Sequence, residues 1–81
     1  MKIFSKTLLA PDGAQVLFLH FFDPALKNWI FVGITVDDND NVIETRISGE
    51  ERQVKHLFAT AGMDLVKTMR MQAAGATPTA H

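Results

Sequence analysis

The chain has no cysteine and no tyrosine, a single tryptophan, three prolines and no excess charge of either sign. Without cysteine, disulfides, thiolate metal sites and a cysteine nucleophile are all excluded. Eight basic and nine acidic side chains leave a formal net charge of −1, so no strong field draws the chain to nucleic acid or an anionic membrane. Long apolar runs are missing too: the longest are seven or eight residues, against the roughly 20 that span a bilayer. A signal peptide is not expected, since Lys6 interrupts Ile3–Ala10 and Pro11-Asp12-Gly13 follows directly. These absences point to a cytoplasmic chain. Serine is scarce as well. Ser5 and Ser48 are the only two, and no G-x-S-x-G, P-loop or glycine-rich phosphate cradle occurs. No catalytic residue and no cofactor is expected.

What is present is a small globular composition, 47% hydrophobic and 21% charged over 81 residues. A chain this short buries only about 60% of its unfolded surface, which makes a lone core marginal. With disulfides excluded, oligomerisation or good packing must supply the remainder.

The apolar content concentrates in Val16–Phe22 and Trp29–Val36, where both alternating faces are hydrophobic. Four strands are predicted, at 2–9, 14–22, 29–36 and 42–48. Pro11-Asp12-Gly13 and Asp37-Asp38-Asn39-Asp40-Asn41 are turn signals that make hairpins of the first and last pairs. Asp23-Pro24 breaks the middle, as a single helical turn or a plain loop. Ser48-Gly49-Glu50-Glu51 has the S-x-x-E pattern of a capping box. After it Val54, Leu57, Phe58, Ala61, Leu65 and Met69 recur at helical spacing, predicting one amphipathic helix to about Gln72. Gly62, in its middle, either allows close packing or ends one helix and starts another. The fold class is therefore α+β, a four-stranded antiparallel sheet with one C-terminal helix on one face. Residues 1–72 form the domain and 73–81 a flexible tail.

One helix covers one face of such a sheet. The other stays apolar, and monomers rarely expose large apolar patches. A homodimer or higher homo-oligomer is expected, with sheets stacked face to face or edges joined. The leading functional reading is an accessory or regulatory protein–protein interaction module that also takes an unidentified protein partner. Phe18, Phe22, Trp29 and Phe31 are the candidate interaction surface. The alternative is a ligand-binding or enzymatic site at the dimer seam around His20, Trp29 and His56. Single-stranded nucleic-acid binding on the sheet aromatics comes third, weakened by the absence of interleaved Lys and Arg.

Other motifs favour structural readings. His20 sits in an apolar strand, where a satisfied buried imidazole outweighs a ligand. No HxH, HxxxH or HxxE spacing supports a metal. Asp37, Asn39 and Asn41 mimic the start of a calcium loop, but Val42 stands where glycine is needed and Ser48 where a bidentate glutamate is needed. Met63, Met69 and Met71 offer adaptable apolar surface or simple core filling. Arg52, Lys55, Lys67 and Arg70 read as a solvated helix face.

Overall fold

A computed structural model describes residues 2–76. Its elements are β1 (Ile3–Leu9), β2 (Gln15–Asp23), β3 (Asn28–Val36), β4 (Val42–Gly49), α1 (Glu51–Thr60) and α2 (Met63–Ala76). The strands form one antiparallel meander in the order β1-β2-β3-β4. The α+β class and the four-strand sheet are as expected, but two helices follow the sheet, not one.

All three connections are tight hairpins, including Asp23–Asn28, where Asp23 Oδ1 accepts the amide hydrogens of Ala25 and Leu26. The first and third turns share one architecture. In each, a backbone N–H bonds to the carbonyl four residues on, Ala10 to Ala14 and Asp37 to Asn41. A residue of positive φ closes each of the three turns: Gly13 at 91°, Lys27 at 54° and Asp40 at 63°. The third turn spends its carboxylate locally. Asp37 Oδ1 takes the amide hydrogens of Asn39 and Asn41, which holds the Asp37 carboxyl below its usual range.

Register assigns the two faces. One carries Phe4, Lys6 and Leu8 of β1, Val16, Phe18, His20 and Phe22 of β2, and Trp29, Phe31, Gly33 and Thr35 of β3. Both helices lie on this face. Val54 of α1 and Val66 of α2 join Val16, Phe18 and Phe31 in the core.

The helix begins later and breaks sooner than expected. Strand β4 continues through Gly49, so Ser48 is paired with Ile30 and cannot cap. Glu50 is the N-cap instead, and Gln53 Oε1 accepts its amide hydrogen at 3.3 Å. The break falls at Ala61, whose backbone is extended (φ −62°, ψ 128°). Gly62 then opens α2, its carbonyl accepting the Val66 amide hydrogen. The reason lies in the core: in an unbroken helix Val66 would be turned about 120° away from Val54. Breaking the helix lets both reach 0% exposure. Helix α2 continues to Ala76, so residues 73–76 are helical where a tail was expected; 77–81, with His81, lie outside the described residues.

Candidate functional site

Two surfaces stand out, on opposite sides of the sheet. The first is the face without helices. It carries Leu17, Leu19 and Phe21 of β2 and Ile30, Val32, Ile34 and Val36 of β3, flanked by Ile3 and Leu9 of β1 and Val42 of β4. Ile30 and Val32 are buried although they are absent from the helix-side core. Their cross-strand partners are Phe21 and Ser48 for Ile30 and Leu19 and Arg46 for Val32. Toward the edges the face stays open, with Leu9 68% and Val42 72% exposed. Polar groups lie around this apolar centre: Ser5 and Thr7 on β1, Gln15, Asp23 and Asn28 at the ends of β2 and β3, and on β4 Ser48, Arg46 and Glu44, the last two ion-paired at 3.6 Å. A depression of about 310 Å³ lies at one end, lined by Thr7, Leu17, Ile34, Val36 and Val42 among others.

The second surface is a cleft of about 450 Å³ on the helix side, beside α1. Phe4, Phe22, Trp29 and Pro24 form its apolar lining, and Lys2 and Lys55 its polar lining. Phe22 and Trp29, cross-strand partners, meet edge to face at 5.8 Å. The Lys2 ammonium lies 5.3 Å from the Phe4 ring centre and that of Lys55 5.3 Å from Trp29. Lys55 is placed by its ion pair with Glu51 one turn earlier on α1.

His20 is next to this cleft. Its ring lies against three aromatics, with centres 4.8 Å from Phe4, 4.4 Å from Phe58 and 6.0 Å from Trp29. It is 6% exposed, and its buried Nδ1 has no hydrogen-bond partner. Burial, with a lesser push from the Lys55 charge, holds the His20 pKa below the ordinary histidine value. Both effects favour the neutral imidazole. Lys6 closes the edge of the same packing. Its ammonium lies 5.2 Å from the Phe58 ring centre and donates to the Ala59 carbonyl at the end of α1.

The residues singled out from sequence separate accordingly. His20 and Trp29 come together, whereas His56 is exposed on α1 and does not line the cleft. Both His20 and Trp29 lie on the helix side, away from the open apolar face. Of the four aromatics expected on an interaction surface, Phe22 is exposed and Trp29 half-buried. Phe18 and Phe31 are 0% exposed, because the helices cover that face, and they belong to the core. Met69 is buried over Gly33, Met63 packs against the core and Met71 is exposed. Phe4, Lys2 and Lys55 were not anticipated in a site. Phe4 needed the β1–β2 register, and the lysines needed the position of α1.

The fold is thus an antiparallel meander with a broken helix on one side, an apolar sheet face on the other and a lysine-bearing aromatic cleft beside α1. No protein-family model, curated protein or solved structure matches the chain. Among the described residues, no helix is long and apolar enough to cross a membrane.

Proposed function

We propose that the chain is a self-associating interaction module whose homomeric interface is the sheet face without helices, and that its role is accessory or regulatory. The observation that carries this reading is the composition of that face: an apolar centre from β2 and β3 with polar groups at its flanks. That is the core-and-rim pattern of protein interfaces. Size agrees. The molecule measures 35 × 32 × 18 Å, and the short dimension fits one sheet plus one helix layer. The open face is then a broad side, which exceeds the roughly 800 Å² per partner of a standard interface. A two-fold arrangement also suits the Glu44–Arg46 flank, since each copy offers both charges to the other.

Light scattering behind size exclusion, over a range of concentrations, tests this. The wild type should have at least twice the chain mass, and Leu19→Arg, at the centre of the face, should have the mass of one chain with its helical circular dichroism intact. A monomeric wild type at every concentration, or an unchanged Leu19→Arg oligomer, overturns the reading.

A further inference from the structure

The aromatic cleft beside α1 is complete within one chain, and its lining fixes the chemistry it accepts. Phe4 and Phe22 are 39% and 41% exposed on the helix-covered side of the sheet. Together with half-buried Trp29 they offer flat apolar walls. At about 450 Å³ the space falls within the range of small-molecule sites. Bare aromatic walls attract cations. Here that position is already taken, because an ammonium lies 5.3 Å from Phe4 and another 5.3 Å from Trp29. A further cation would meet like charge. Among the described residues no carboxylate lines the cleft. Glu51, ion-paired to Lys55, offsets part of the Lys55 charge, so a bound anion would compete with Glu51 for that ammonium while Lys2 meets it directly.

We propose that this cleft binds a small planar aromatic anion, a ring system carrying one carboxylate or phosphate group. The anionic group would draw the Lys2 and Lys55 ammonium groups off the Phe4 and Trp29 rings, and the ligand's ring would take their place against Phe4, Phe22 and Trp29. Charge-assisted hydrogen bonds to the ammonium groups give the anion its advantage over a neutral ring. A polymeric nucleic acid fits less well, since two lysines and a net charge of −1 offer little to a long phosphate backbone.

The test uses the full chain and the indole N–H resonance of Trp29, which is unambiguous because there is one tryptophan. Four probes are titrated: 2-naphthoate, 1-naphthyl phosphate, neutral 2-naphthylmethanol and inorganic phosphate. Either naphthyl anion should shift the Trp29 signal saturably, and the tighter of the two identifies the anionic group. The neutral ring and inorganic phosphate should each bind at least about tenfold more weakly. Lys2→Gln with Lys55→Gln, both at exposed positions, should cost the anions about tenfold while the amide spectrum shows an intact fold. Equal binding of 2-naphthylmethanol, equal binding by the double variant, or no saturable shift at millimolar probe overturns the proposal. The cleft lies away from the open face, so its affinity should not vary with protein concentration, and failure of either proposal leaves the other standing.

Discussion

Phe4 and His20 are directly opposed across β1 and β2, and their rings stack with centres 4.8 Å apart and planes 12° from parallel. That stack holds a neutral imidazole in an aromatic box completed by Phe58 and Trp29. Because burial lowers the folded-state pKa, the unfolded chain binds the proton more readily. The contribution of neutral His20 is therefore complete above the ordinary histidine pKa of 6.5 and is lost as pH falls below it, toward and through the depressed folded value. Chemical denaturation between pH 8 and 5 should show stability falling over this window. In His20→Phe the fall should be absent, and stability at pH 8 should be no lower, since an unpaired buried Nδ1 is removed. An identical pH profile in His20→Phe would show that another group is responsible.

Gly33 of β3 is a point of close approach to α2. A Cβ there would sit 3.2 Å from Met69 Sδ and 3.3 Å from the Phe18 ring. The thioether can shift, but the ring is fully buried. Gly33→Val should destabilise by about 1–3 kcal/mol through overpacking. Adding Met69→Ala should restore less than it costs, because Met69 is itself core. Urea denaturation of the two single variants and the double variant gives the coupling.

Three turns close on a residue of positive φ, yet the sequence supplies glycine only at the first. Lysine at 27 carries the full strain of that conformation, and aspartate at 40 less, since it tolerates the left-handed region. Lys27→Gly should stabilise by about 1 kcal/mol and Asp40→Gly by about half that. Gly13→Ala should do the reverse. Thermal melts of the three variants should rank them in that order.

The sheet was legible because alternation and turn residues agree over most of its length. Phe18 and Phe31 were legible as a shared face but not as core, since both faces of β2 and β3 are equally apolar and nothing local says which one the helix takes. The helix break was half legible: Gly62 marked the place. What decides it is Val66, which helical spacing alone leaves outside the buried stripe. The cleft was least legible. Trp29 and Phe22 were in view, but Lys2, Phe4 and Lys55 join them only through register and through the angle at which α1 crosses the strands.

Arg70 ties α2 to the two equivalent turns. Its Nη1 lies 3.0 Å from Asp12 Oδ2 in the first hairpin, and its Nε donates to the Val36 carbonyl at the start of the third. The two contacts differ in kind. The Asp12 carboxylate is exposed, and its pKa is lowered mainly by the Ala14 amide and secondarily by Arg70, so the ion pair itself is screened and weak. The Val36 carbonyl bond is part-buried and less screened than the ion pair. Arg70→Met should therefore cost about 1–2 kcal/mol, and Asp12→Asn much less. Raising the salt concentration should narrow the small Asp12→Asn effect and leave the Arg70→Met effect nearly unchanged. Lysine at position 70 carries the charge but cannot present two fixed donors, so Arg70→Lys should behave like Arg70→Met. Urea denaturation at low and high salt checks this. Equal losses from Asp12→Asn and Arg70→Met would place the contribution in the ion pair and not in the carbonyl bond.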